Sequence, residues 1–355
     1  MKIMQVIPAF RLAGAEVMCE NLCIALKNAG ETVIAVSLYS EKTAITDRLE
    51  KAGVRIEYLD KKLGFDPSII FKLVRLFKRE KPDVVHTHIY ASKYGLIAAV
   101  LAGIEKKVHT VHNVAQKEQG NLGKKVNSFM YKHFDVVPVA LSQEVRKSIS
   151  DVYGLCEDSV PTIFNGIDLS KCLTKTNYKV NKIFEILHIG RFMQVKNHEI
   201  LIRAFADFVK RHPSSKLQLL GEGELFTRMQ DLAQTLGVAD KVDFLGLQSN
   251  VYPYLHDADV FCLPSEYEGV PMTLIEAMGT SLPIIAGNVG GIPDMLANGE
   301  SALLIEPKIN DIEEAMETLY SSEELRAKLG QAACRRSEVF SSEAMAKSYM
   351  KVYRC

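Results

Sequence analysis

Two glutamates and two cations, each set among small residues, are the side chains of this sequence best placed to do chemistry. Glu268 and Glu276 stand eight positions apart in the run Pro264-Ser265-Glu266-Tyr267-Glu268-Gly269-Val270-Pro271-Met272-Thr273-Leu274-Ile275-Glu276-Ala277-Met278-Gly279. Glu268 falls in a loop after a short apolar run. Glu276 falls on the helix that follows, where Pro271 suits an early helical position. Among Leu274, Ile275, Ala277 and Met278, a buried Glu276 is costly unless hydrogen-bond donors meet it. A pair of ribose hydroxyls would supply them, and Glu268 can accept from sugar hydroxyls in the same way. The N–H groups of Met272, Thr273 and Leu274 would point outward at phosphate or sugar oxygens. The plainer alternative is one surface glutamate and one salt-bridged glutamate.

The cations are Arg191 and Lys196, in Gly190-Arg191-Phe192-Met193-Gln194-Val195-Lys196-Asn197-His198. They sit beside a predicted helix N-terminus, after a predicted strand. A diphosphate gains negative charge as its bond to a sugar breaks, and fixed cations with helix N–H groups stabilise that charge without a metal. The alternative is two solvated charges on a loop. A third loop, Phe10-Arg11-Leu12-Ala13-Gly14-Ala15-Glu16, joins the first strand to the first helix. Small residues there let backbone N–H groups approach a phosphate, although a tight turn explains them equally well. The loop is not G-x-G-x-x-G, and no acidic residue is placed for a ribose after the second strand. Both points argue against a nicotinamide enzyme.

The elements that must position these loops are short β-branched runs alternating with helical patterns, which predicts a parallel α/β architecture. Strands are expected over 3–7, 32–38, 55–59, 84–88, 107–111, 136–139 and 161–164, then over 185–189, 216–220, 242–245, 260–263, 283–286 and 302–305. A helix is expected from about Ala15 to Ala29, stopped by Gly30, and three acidic-basic helices close the chain. The polar stretch 169–182 interrupts the alternation and reads as a linker. In an open parallel sheet, ligands bind beyond the carboxyl ends of the strands, where all three loops fall.

The length of 355 residues suits two domains. The 47% hydrophobic and 24% charged residues are those of a globular protein. The 43 basic and 43 acidic side chains cancel, which argues against a nucleic-acid partner. Seven cysteines without a C-x-x-C pair suggest a reducing compartment and a cytoplasmic location. The N-terminal run is too short for a signal peptide, and no run reaches the ~18 apolar residues of a membrane span.

The motifs, taken in order, resemble the retaining glycosyltransferases of family 4. They are Glu268…Glu276, Gly190-Arg191 with Lys196, Asn165-Gly166-Ile167-Asp168, Leu220-Gly221-Glu222-Gly223, Val242-Asp243-Phe244-Leu245-Gly246 and Gly290-Gly291-Ile292-Pro293-Asp294. The resemblance is strongest over 160–310 and continues more weakly through Gly14-Ala15-Glu16, 82–88 and Thr110-Val111-His112-Asn113. It departs at Phe164, where proline is common, at Ala13, where the family often has Gly-Gly, and at Asn197, where glycine is frequent.

The resemblance implies the GT-B fold, an α/β arrangement of two facing Rossmann-like domains with parallel sheets and a cleft between them. Residues 1–170 would form the acceptor-side domain, with helix 341–355 packed back on it, and 183–335 the domain that binds a nucleotide-sugar. Arg191 and Lys196 would hold the donor diphosphate, Glu276 the ribose, and Glu268 the transferred sugar. Gly269, Val270, Met272 and Thr273 would line the donor, Gly246 and Leu247 would meet the base, and Gly14 would approach phosphate and sugar. His112 would face the transferred sugar. The donor would be a UDP-sugar, with GDP behind it. The acceptor would be a glycan or lipid-linked glycan, as in bacterial surface polysaccharide biosynthesis.

No cofactor or metal is expected. Asp257-Ala258-Asp259 precedes its strand and so lies at the wrong end of the sheet to hold one. His86, His88, His109 and His112 lack a carboxylate or cysteine partner in sequence, and packed core histidines explain His86 and His88 better. A sugar-nucleotide epimerase would need acid and base carboxylates and no second substrate. A silent binding subunit would lack one of Arg191, Lys196, Glu268 or Glu276, and all four are present. The segment 69–79 is apolar on one side and basic on the other. With the lysines at 106, 107, 117, 124, 125, 132 and 147 and Arg146, it would suit peripheral contact with the inner face of the cell membrane. An ordinary helix packed on its own sheet explains the segment itself better.

Overall fold

The computed structural model describes residues 1–355. The chain divides into two compact units, Met1–Ile167 with Ser341–Cys355, and Asp168–Phe340.

The first unit is built on six parallel strands: β1 (Lys2–Ile7), β2 (Thr32–Ser37), β3 (Arg55–Tyr58), β4 (Val84–His88), β5 (Lys106–Val111) and β6 (Val136–Ala140). They pair in the order β3-β2-β1-β4-β5-β6. Helices cover the sheet, so β1 and β4 are buried almost throughout, the polar Gln5, His86, Thr87 and His88 included. Met4, Val6 and Val85 pack against Leu73 and Phe77 of helix Ser68–Glu80 and Ala98 of helix Ser92–Leu101. In helix Ser68–Glu80 the buried residues are Ile69, Leu73, Leu76 and Phe77, a stripe at helical spacing that docks on the sheet. Its Lys72, Arg75, Lys78 and Arg79 are exposed, as is Phe71.

The strand expected over 161–164 does not form. Residue 162 makes one bridge to Ala140, held by Ala140 N–H to Pro161 O (2.9 Å) and Ile163 N–H to Ala140 O (2.8 Å). Pro161 has no N–H to offer a ladder, and the chain then turns away through Asn165-Gly166. There Ile167 pairs with Ser341, and Ser342 N–H donates to Ile167 O at 2.7 Å. This contact starts helix Ser342–Arg354, whose Met345, Tyr349 and Tyr353 are buried in the first unit. Ser341 caps that helix by accepting from Ala344 N–H.

The second unit repeats the plan with β7 (Phe184–Ile189), β8 (Ser215–Leu220), β9 (Val242–Gly246), β10 (Val260–Leu263), β11 (Ile284–Gly287) and β12 (Leu303–Ile305), in the order β12-β11-β10-β7-β8-β9. Its core gathers Phe184, Phe192, Phe205, Phe208, Leu217 and Val260 with neighbours from helices on the sheet. In each sheet the strand order reverses once, between β1 and β4 and between β7 and β10. Those reversals leave a crevice at the carboxyl ends of the strands. At the opposite end of the second sheet, Asp259 is buried, and its carboxylate accepts from Glu185 N–H at 3.0 Å where β7 begins. That carboxylate organises the strand entrance.

A Cβ on Gly166 would stand 2.5 Å from Ser341 O and 2.9 Å from the Met345 Cβ. Gly166→Ala should therefore push the C-terminal helix off its seat and cost about 1–3 kcal/mol. A fall in the urea midpoint at unchanged slope checks this.

Candidate functional site

β7 and β10 are neighbours, paired Val260 to Ile186 and Phe261 to Leu187, so the loops that leave them emerge side by side. Glu266 N–H donates to Val195 O at 2.9 Å and ties one loop to the other. After β7 the chain turns through Gly190-Arg191 and a short 3-10 turn, Gln194–Lys196. Asn197, at φ 61°, then opens helix His198–Arg211. Phe192 anchors this turn. Its N–H donates to Glu222 O at 3.0 Å, and its ring stacks on His198 with centroids 4.0 Å apart. Arg191, next to it, is exposed and in no ion pair.

The structure brings Lys196 and Glu268 together. Lys196 Nζ donates to Glu268 Oε1 at 2.6 Å, and Ser265 Oγ donates to the same oxygen at 2.6 Å. The Glu268 side chain is 8% exposed and that of Lys196 19%, so the pair is partly withdrawn from water. Loss of either partner would leave a partly buried charge. Gly290 and Gly291 close over the back of Glu268. Gly291 N–H donates to Glu268 O at 2.9 Å, and a Cβ on Gly290, at φ +55°, would lie 1.9 Å from that oxygen. Only glycine fits there. The sequence reading missed Ser265. Its signal was a small hydroxyl residue three positions before the loop glutamate.

Gly269, Val270 and Pro271 lead into helix Met272–Gly279, where Met272 is buried and Thr273 half-buried at the first turn. Glu276 follows one turn later. It is half-buried by exposed area, yet its carboxyl accepts no hydrogen bond from the protein. Burial pushes its pKa up to about 7, against a weaker opposing pull from Lys171. Gly246, at φ +66°, ends β9, and its carbonyl accepts from Gly221 N–H at 2.8 Å; the next residue, Leu247, is exposed. One step in, His188 is buried and held by its Nδ1 against Cys262 O at 2.8 Å. Burial draws its pKa down to about 4, so it is neutral near pH 7.

Gly14 and His112 belong to the first unit. Gly14 begins helix Gly14–Asn28 beside the β1/β4 reversal and is exposed, with no atom within 4 Å of where a Cβ would lie. His112 follows β5. Its N–H donates to Glu118 Oε1 at 2.9 Å, and its Nε2 lies 3.0 Å from Nδ1 of His88. Burial first, and His109 second, hold its pKa down to about 3. His86 and His88 are fully buried and also held neutral by burial. His109 turns the other way, its Nδ1 2.9 Å from Thr87 O. The sequence showed no carboxylate near these histidines, but Glu118 Oε2 lies 3.7 Å from His109 Nε2. The other ring contacts are to hydroxyl, amide, carbonyl and ring groups, and no group of three or more His, Cys, Asp or Glu side chains is arranged to hold a metal ion.

The raised Glu276 carboxyl has a consequence for stability. In the unfolded chain it titrates as an ordinary glutamate, so between that range and about 7 the folded chain holds the extra proton. Its contribution to stability therefore falls as pH rises through this window. Glu276→Gln, which cannot ionise, should gain in urea midpoint relative to wild type between about pH 5 and about pH 8. An equal offset at both pH values would show that Glu276 titrates normally.

Residues 174–336 match the family model for glycosyl transferases group 1, and residues 12–171 match that for glycosyltransferase family 4. The chain is 30% identical over 305 residues to the N-acetyl-alpha-D-glucosaminyl L-malate synthase of Bacillus anthracis, covering 81% of this chain and 79% of that one. It is also 30% identical over 277 residues to the UDP-Gal:alpha-D-GlcNAc-diphosphoundecaprenol alpha-1,3-galactosyltransferase of Escherichia coli, covering 72% and 70%. The crystal structure of Anabaena HepE in complex with UDP superposes with a TM-score of 0.84 at 18% identity, over 100% of both chains, and shares the fold. This protein belongs to glycosyltransferase family 4 and has the GT-B fold.

Proposed function

We propose that this protein is a retaining glycosyltransferase that uses a UDP-sugar and needs no metal. The sugar goes to a hydroxyl of a glycan or lipid-linked glycan in bacterial surface polysaccharide assembly. The observation that carries the reading lies at the β7/β10 reversal. There Lys196 pairs with a loop carboxylate, Glu268, Arg191 stands exposed on the same loop as Lys196, and a helix carboxylate without a partner, Glu276, lies on the next element. UDP bound to HepE and the UDP-galactose donor and diphosphoundecaprenol-linked acceptor in the name of the E. coli relative support the donor and acceptor classes.

In this reading the diphosphate lies between Arg191 and Lys196 and over the N–H groups of Met272, Thr273 and Leu274. Lys196 exchanges Glu268 for phosphate oxygens, and Glu268 turns to hydroxyls of the sugar, beside Gly269 and Val270. Glu276, ionised by two donated hydrogen bonds, holds the ribose, and the backbone of Gly246 and Leu247 meets the base. The acceptor oxygen attacks the anomeric carbon from the face the diphosphate leaves. As the bond to the leaving oxygen breaks, a departing phosphate oxygen takes the acceptor proton, so no protein nucleophile is consumed. Positioning and fixed charge carry the rate.

No helix is long and apolar enough to cross a membrane. Exposed Phe65 and Phe71, with Lys62, Lys72, Arg75 and Lys78, favour peripheral contact of the first unit with an anionic cytoplasmic leaflet.

Thermal-shift titration with UDP, GDP and their sugars, with and without EDTA, tests the donor reading. A ligand that binds only the folded state raises its apparent stability. UDP and one UDP-sugar should raise Tm equally with and without EDTA. A shift that EDTA abolishes would overturn the metal-free site, and no shift with any nucleotide would overturn the site itself. Lys196→Ala and Glu268→Ala should each lower turnover by ~100-fold or more while the protein stays folded. Near-wild-type transfer in both would remove these residues from the machinery.

A further inference from the structure

The first unit holds an unbroken chain of hydrogen bonds that begins at His112 and ends on the C-terminal helix. His112 Nε2 lies 3.0 Å from His88 Nδ1, and His88 Nε2 lies 2.8 Å from Gln5 Oε1. Gln5 Nε2 donates to Tyr353 OH at 3.1 Å, and Tyr353 OH lies 2.7 Å from His86 Nδ1. His86 Nε2 lies 2.7 Å from Thr110 Oγ1, which lies 2.7 Å from Tyr349 OH. Gln5, His86, His88, Thr110, Tyr349 and Tyr353 are all buried, so none can substitute water for a lost partner.

Such a chain has a direction. Each neutral imidazole carries one hydrogen, so a ring that accepts at one nitrogen must donate at the other. Gln5 is the group that sets the sense, because its oxygen only accepts and its nitrogen only donates. With Gln5 Oε1 toward His88, His88 bears its proton on Nε2 and accepts at Nδ1. His112 must then donate from Nε2, which leaves a lone pair on Nδ1, a nitrogen without a partner in the protein. From Gln5 the other way, Tyr353 donates to His86, His86 to Thr110, and Thr110 to Tyr349. Turning the Gln5 amide over would reverse every bond. The hydrogen left over on Tyr349 in the first sense would then appear on His112 Nδ1.

We propose that Gln5, His88 and the tyrosines of helix Ser342–Arg354 are positioning residues that fix the ring tautomer of His112, so that its Nδ1 presents a lone pair. That nitrogen is then an acceptor for a substrate hydroxyl, a role that rests on the proposed transferase reading and on the family resemblance by which His112 would face the transferred sugar. Across β1 and β4 Gln5 stands opposite His86, across β4 and β5 His88 stands opposite Thr110, and the C-terminal helix closes the chain. The last residues of the sequence thereby bear on a side chain more than 200 positions away.

Long-range proton–nitrogen NMR of the histidine rings in the 15N-labelled full chain tests this, with the His112 signals identified by their loss in His112→Asn. In the wild type His112 should carry its proton on Nε2 alone. Gln5→Leu and the near-isosteric Tyr353→Phe should give mixed tautomers at His112 and lower kcat by about tenfold with KM little changed. Gln5→Glu, which can only accept from His88, should restore the single tautomer. A proton on Nδ1 in the wild type, or an unaltered tautomer in Gln5→Leu and Tyr353→Phe, would overturn the proposal. A tautomer that scrambles while kcat holds would support the chain and remove His112 from the sugar.

Discussion

The placement of strand β10 directly beside β7 is the constraint on which the donor half of this protein depends. A parallel sheet buried on both faces must pair every interior N–H and C=O, so its strand order cannot drift. Once β7 and β10 are neighbours, the loops that leave them must share the crevice at their carboxyl ends. The Arg191–Lys196 loop and the Glu268 loop, seventy-odd positions apart in sequence, are thus brought within hydrogen-bond distance. The remaining strands and the helices around Phe205, Phe208 and Leu217 keep that pairing rigid.

Charge at this crevice is held under tension. Glu268 is nearly covered and its carboxylate oxygen is met by Lys196 and Ser265, with Gly290 and Gly291 closing over its backbone. Glu276 has no such company, and burial raises its affinity for a proton. Two carboxylates on adjacent elements therefore differ in readiness: one is satisfied by the protein, and the other awaits donors from outside. Strong perturbation of a carboxyl in a crevice is the kind of arrangement that binding sites display.

The two units use one strand order but fill it differently. The crevice of the second is lined by ions, with His188 and His198 packed behind Phe192. The first runs a polar seam through its sheet, from His112 through His88 and Gln5 to Tyr353 and on to Tyr349. Such a seam is tolerated in an interior only because each member is matched. It binds the C-terminal helix to the sheet through polar contacts in addition to the packing of Met345, Tyr349 and Tyr353.

The sequence by itself determined the element plan and the loops that matter. Alternating apolar runs and helical stripes place all twelve strands within a residue or two, twelve of the thirteen expected, because the period of side-chain burial is written locally. Pro161 defeats the remaining expectation, since a bare pattern of apolar residues does not register a missing N–H. Arg191, Lys196, Glu268 and Glu276 were legible because their loops follow strands and carry small residues. Only the tertiary structure decided that Lys196 pairs with Glu268, that Ser265 shares the same oxygen, and that Glu276 stands without a donor. It alone joined Gln5 to Tyr353, where sequence shows a strand glutamine and a helical tyrosine on an apolar face. Partner choice depends on distances between segments remote in the chain, and no local period encodes those.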